Sequence, residues 1–77
     1  MNKLNKAISG KKFQLIADRP LSNHPEDRHL RVVLVQLNDS FLETFAVYLF
    51  NADDGGFYEG KYFDKMEYAW EAYHNKR

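Results

Sequence analysis

The sequence has no cysteine, which excludes disulfides and thiolate metal sites as sources of stability. Proline and glycine are also scarce, at two and four residues, so the places where regular structure must break are few and can be read individually. Long apolar runs are missing as well. No stretch approaches the roughly 20 apolar residues of a membrane span, and Met1 to Gly10 carries lysines without the apolar run of a signal peptide. A cytoplasmic protein without membrane contact is expected. Net charge is absent too, with 11 Lys and Arg against 11 Asp and Glu. A neutral molecule is not drawn as a whole to nucleic acid or to an acidic membrane.

What is present is aromatic: six Phe, five Tyr and one Trp in 77 residues. A chain of this length holds one core and no second module, so residues 1–77 read as a single domain. Chains this small bury a modest share of their surface, and without disulfides their stability has to come from an aromatic core, an oligomeric interface, or both. The charge is also unevenly spread. Bases exceed acids in residues 1–31 and acids exceed bases by the same margin in residues 32–77, a dipolar arrangement suited to self-association or to placing a basic N-terminal edge on an anion.

Periodicity predicts an α+β fold, a three- to four-stranded antiparallel meander packed against one C-terminal helix. Residues 2–9 have the pattern of a short helix, with Leu4, Ala7 and Ile8 on one side and Gly10 as a stop. Lys12 to Ala17 alternates as an edge strand, with Phe13, Leu15 and Ala17 on one side and Ile16 on the other. Residues 18–29 hold Pro20 and Pro25 among charges and read as a loop, with Leu21 as a pin to the core. The runs Leu30 to Leu37 and Phe41 to Phe50 form a hairpin around Asn38-Asp39-Ser40. That triplet also matches a glycosylation sequon and reads as a turn. A further strand over 56–63 follows the turn Asn51 to Gly55, whose Asp and Gly residues supply side-chain caps and positive φ. A helix over 64–76 begins at Asp64 as N-cap, with Glu67 completing a capping box. Met66, Ala69, Trp70 and Tyr73 form its apolar stripe, and Trp70 is expected to carry the packing on the sheet.

The two central strands are apolar on both faces. Leu30, Val32 and Leu34 share one side and Val33, Val35 and Leu37 the other, while Phe41, Phe45, Val47 and Leu49 oppose Leu42, Ala46, Tyr48 and Phe50 in the same way. One helix covers one face. The other is either covered by the N-terminal helix and the proline loop or docks against another copy of the chain or a different protein.

Candidate chemistry is sparse. His24, Glu26, Asp27 and His29 lie close in sequence, but a His-x4-His spacing in a proline loop has no geometry to align two imidazoles on a metal. His74 suits the helix C-terminus. Asp53 and Asp54 read as turn residues and lack the spacing of a calcium loop. Ser9, Ser22 and Ser40 sit in no nucleophile motif, and the glycines form no phosphate loop. No catalytic residue, cofactor site or metal site is predicted. For nucleic acid, Tyr58, Gly60 and Tyr62 alternate onto one strand face beside Lys61, and aromatics on an open sheet can stack bases. Phe63-Asp64 with Glu67, Ala69, Ala72 and Tyr73 also resembles the last strand and helix of plant AP2 and integrase N-terminal DNA-binding domains, over about a dozen residues. The resemblance implies a three-strands-then-helix order and DNA contact through Arg-rich strands, where this chain offers Arg31 and little else.

The leading expectation is a non-enzymatic protein-binding module. It would be a homodimer or a regulatory or inhibitory accessory factor, of the size found in phage or plasmid accessory proteins, docking through an aromatic sheet face or an edge strand. Its candidate contact residues are Arg31, Tyr48, Phe50, Phe57, Tyr58, Lys61 and Tyr62. The alternative is a nucleic-acid-binding domain that uses the sheet tyrosines and the basic N-terminal segment.

Overall fold

β-branched and aromatic side chains fit a pleated surface best when both faces are covered, and the two most apolar runs of this chain form the centre of its sheet. A computed structural model describes residues 13–37 and 44–76. The predicted helix over 2–9, the turn Asn38-Asp39-Ser40, Lys12 and residues 41–43 lie outside the described residues. The strands are β1 (Phe13–Pro20), β2 (Leu30–Leu37), β3 (Phe45–Asn51) and β4 (Gly56–Phe63), followed by the helix α1 (Met66–Asn75). They pair antiparallel in the order β1-β2-β3-β4. This is the α+β meander closed by one C-terminal helix that the periodicity predicts. Among the described residues no helix is long and apolar enough to cross a membrane.

Both faces of β2 are buried, Val32, Val33, Leu34 and Val35 having no exposed surface. On the helix side, Val32, Leu34 and Val47 pack with Ala69 and Tyr73 of α1, edged by Ile16, Leu21, Phe45, Phe63, Met66 and Trp70. On the far side, Val33, Val35, Ala46, Tyr48 and Phe50 pack with Phe13, Leu15, Leu37 and Phe57. The rings of Phe13 and Phe57, from the two outer strands, lie 5.7 Å apart, although strands separated by two others sit about 14 Å apart in a flat sheet. Their registers also set them at opposite ends of the sheet, Phe13 in line with Leu37 and Phe57 in line with Arg31, so the sheet coils with its far face concave, and the two rings meet there and help to close that face. Val33, Val35, Ala46 and Phe50 are at most 1 % exposed there, so the far face presents no open apolar surface at these positions.

Four expectations need correction. The loop predicted from residue 18 begins later, because Asp18, Arg19 and Pro20 continue β1 opposite Val33, Val32 and Arg31. Pro20 is tolerated because β1 is an outer strand, where a missing N–H need not break a ladder. A bulge between Leu15 and Ala17 also resets the alternation, so that Ala17 joins Ile16 on the helix side instead of Phe13 and Leu15. The helix starts later than predicted. Its N-cap is Lys65 rather than Asp64, and no side chain caps it, so the capping box does not form. Finally, Ala69 and Tyr73 are the buried residues of α1, while Trp70 is half-buried and stands edge-on to Tyr73 at 5.4 Å. Small Ala69 lets the helix approach closely and Tyr73 fills the space beside it.

Candidate functional site

β4 is an outer strand, and its segment Tyr58–Tyr62 is exposed throughout. Its course is set by a bulge. Lys61 opposes Val47 and Tyr58 opposes Leu49, which leaves Glu59 and Gly60 together opposite the single residue Tyr48. Glu59 takes a left-handed backbone with φ 54°, a conformation that costs a side-chain-bearing residue about 1–2 kcal/mol. Gly60 meets a different need. A Cβ there would lie 2.5 Å from Cε1 of Tyr48, so only glycine lets the Tyr48 ring lie across the strand.

The extra residue redirects the tyrosines. Tyr62 opposes Ala46 on the far face, whereas Tyr58 opposes Leu49, which is itself opposite Val32 on the helix side. Tyr58 and Tyr62 thus point to opposite faces, contrary to the simple alternation expected from their spacing. They form no common platform on which successive bases could stack. An isolated glycine within an aromatic strand was the available sign of a bulge, but only the pairing with β3 shows which residue is extra.

The remaining candidates divide between the two faces. Tyr48 and Phe50 are buried, and Phe57 is half-buried against both. Their rings form a continuous group in which Phe13 stacks on Tyr48 at 5.6 Å and Phe57 meets Tyr48 at 5.5 Å and Phe50 at 5.1 Å. Tyr62 extends it to the sheet margin, edge-on to Tyr48 at 6.0 Å, with the two hydroxyls 2.9 Å apart. Burial, then the hydrogen bond and charge interaction with Tyr62, hold the Tyr48 hydroxyl well above the ordinary tyrosine range. Arg31, opposite Phe50, is engaged by Asp18, its Nε donating to Oδ2 at 2.6 Å.

On the helix side, Lys61 lines a cleft of about 390 Å³ with Val47, Glu59, Ala72, Asn75 and Lys76. Lys76 Nζ meets Glu59 Oε1 there at 3.4 Å. Next to it, Tyr58 donates to Asp54 Oδ2 at 2.6 Å while the Gly56 amide donates to Oδ1 at 2.8 Å. These two bonds lower the Asp54 pKa, and the same carboxylate raises that of Tyr58. The preceding turn uses its predicted residues, with Asn51 Oδ1 accepting from Asp53 N at 2.8 Å and Gly55 at φ 74°.

In the proline loop, Asp27 accepts a hydrogen bond from Ser22 Oγ at 2.6 Å. Among the described residues no three His, Asp or Glu side chains are grouped so as to hold a metal ion. Two residues outside these groups carried no sequence signal. Arg19 reaches from β1 to the end of α1, and Tyr68 presents a half-exposed ring on the helix.

No family model matches this chain, and no curated protein or solved structure matches it.

Proposed function

We propose that the chain is a small protein-binding module without chemistry of its own, and that it docks through the outer side of β4. The observation that carries this reading is that β4 is a full-length outer strand with two half-exposed tyrosines, Tyr58 at 47 % and Tyr62 at 48 %. Among the described residues no strand pairs with its outer side. An unpaired row of backbone donors and acceptors flanked by amphipathic rings is the surface that strand addition uses, the main chain giving affinity and the side chains specificity.

The opposite margin of the sheet is less suited. β1 ends in Pro20, which has no N–H to offer to an added strand, and proline at an edge discourages pairing. The aromatic sheet face is also a weaker docking surface than its composition suggests, because Tyr48 and Phe50 are buried. A nucleic-acid role loses its base-stacking platform because Tyr58 and Tyr62 lie on opposite faces.

A photo-crosslinking side chain placed at Tyr62, with one at exposed Gln14 of β1 as control, tests the docking role in the native cell. Protein adducts from position 62 and none from position 14 are expected. Absence of adducts from position 62, or equal yields from both, would overturn the reading.

A further inference from the structure

We infer that the occupant of the β4 edge is a second copy of the chain, paired antiparallel, β4 to β4, about a two-fold axis between Glu59 and Gly60. This rests on the docking role proposed for β4 and names its partner.

The bulge selects the occupant. A regular strand laid against β4 has to leave one residue of the Glu59-Gly60 pair unmatched, as β3 does at Tyr48. A second β4 carries the same extra residue at the same place. Two such strands can pair residue for residue, Glu59 facing Gly60 of the second copy and the reverse, with no residue left over.

Side-chain direction then fixes the register. With the axis between Glu59 and Gly60, Tyr58 faces Lys61 of the second copy and Phe57 faces Tyr62. Tyr58 and Lys61 both lie on the helix side, and Phe57 and Tyr62 both on the far side. A slip of one residue would set Tyr58 opposite Tyr62, which point to different faces, and would lose the match along the whole strand.

The chemistry of the matched pairs is favourable. A lysine beside a tyrosine ring gives a cation–π contact on one face. On the other face, Phe57 beside Tyr62 extends the ring group of Phe13, Tyr48 and Phe50 into the second copy. Near the axis Glu59 of each copy comes beside both Glu59 and Lys61 of the other, so the two carboxylates are flanked by two lysines and no like charges sit directly opposite each other. A two-fold interface requires such self-complementarity, and the order Phe-Tyr-Glu-Gly-Lys-Tyr-Phe over residues 57–63 supplies it. Contact limited to one strand edge is small, so the dimer is expected to dissociate on dilution.

Sedimentation from micromolar to millimolar concentration measures the association, and engineered cysteines measure the register. The chain has no native thiol, so any disulfide must join introduced positions. Facing residues on paired strands fall within the Cα separation a disulfide accepts. Under mild oxidation, a mixture of the Tyr58→Cys and Lys61→Cys chains is expected to give a covalent dimer. Neither variant alone should do so, nor should a mixture of Tyr58→Cys with Tyr62→Cys.

A chain that stays monomeric over the whole concentration range would overturn the inference, as would a dimer that crosslinks as readily through 58 with 62 as through 58 with 61. If the chain is monomeric but position 62 still forms adducts with another protein, the second copy is ruled out and the docking role of β4 stands. If those adducts are missing too, both fail.

Discussion

The Arg19 guanidinium ties the first strand to the end of the chain: its Nη2 donates to the carbonyl oxygens of Tyr73 and Lys76, each at 2.7 Å. The last carbonyls of a helix have no partner within it, and here they receive a cation where the helix dipole favours one. The guanidinium carbon also sits 5.3 Å from the centre of the Tyr73 ring. One side chain thereby satisfies the helix terminus and fixes the tilt of α1 on the sheet.

Replacing Arg19 with Ala should therefore cost about 2 kcal/mol, the scale of charge-assisted hydrogen bonds lost from a part-buried site. Arg19→Lys should recover only part of this, because an ammonium is more strongly hydrated, has no planar face to lay over the Tyr73 ring and gives up the Nη1 bond to the Pro20 carbonyl. Urea unfolding is the measurement, with a lower midpoint and an unchanged slope expected. An Arg19→Ala chain as stable as the parent would show that the helix is held by Ala69 and Tyr73 alone.

Two glycines of β4 should respond differently to a methyl group. At Gly60 the new Cβ would meet the Tyr48 ring, which Phe13 and Phe57 hold in place. Gly60→Ala should lose about 1–3 kcal/mol, as overpacking does. At Gly56 the nearest atom is the hydroxyl of Tyr58 at 2.9 Å, the far end of a half-exposed side chain that can swing away. Gly56→Ala should thus be the milder change, and thermal melts of the two variants compare them directly.

Glu59 pays for its position with a left-handed backbone. Glu59→Gly should stabilise the isolated chain by up to about 1 kcal/mol, since glycine adopts this conformation without strain and the exposed contact with Lys76 contributes little. Destabilisation by a similar amount in a thermal melt would mean that the carboxylate matters more than the backbone.

At the start of α1, Lys65 occupies a cap position that it cannot fill, and its charge opposes the helix dipole. Lys65→Asp should gain about 1 kcal/mol by giving the first-turn amides an acceptor. Chemical denaturation checks this, and no gain would place the true start of the helix elsewhere.

The Tyr48 hydroxyl gives stability a dependence on high pH. Folding raises its pKa above the ordinary 10.0, so the folded chain holds this proton more tightly than the unfolded one. The resulting stability is complete below about pH 10 and is lost as pH rises toward the folded value. The parent chain should lose stability as pH rises from about 10 to about 11, and Tyr48→Phe should lose less. Equal losses in urea titrations of the two chains would refute a role for Tyr48.

Several features could be read from residue order because they depend only on local chemistry. The double-sided apolarity of Leu30 to Leu37 marks a strand covered on both faces, Asn51 to Gly55 carry the side chains and the glycine their turn uses, and the stripe Met66, Ala69, Trp70, Tyr73 marks the packed side of the helix, though not that Ala69 and Tyr73 rather than Trp70 are its buried residues. The class of fold follows from these, and so do the aromatic strands on which the candidate site is built. The direction of each tyrosine does not. A bulge is a relation between two strands, two residues against one, and nothing within Phe57 to Phe63 determines that Glu59 is the extra residue until Tyr48 is set opposite it. The partner of Arg19 is likewise beyond local pattern, because the carbonyls it meets lie 54 and 57 residues away. Sequence by itself determined which faces must be covered, since burial of apolar surface is a property of side chains. Tertiary structure alone decided which rings remain outside, since strand register and bulges arise only when distant segments pair.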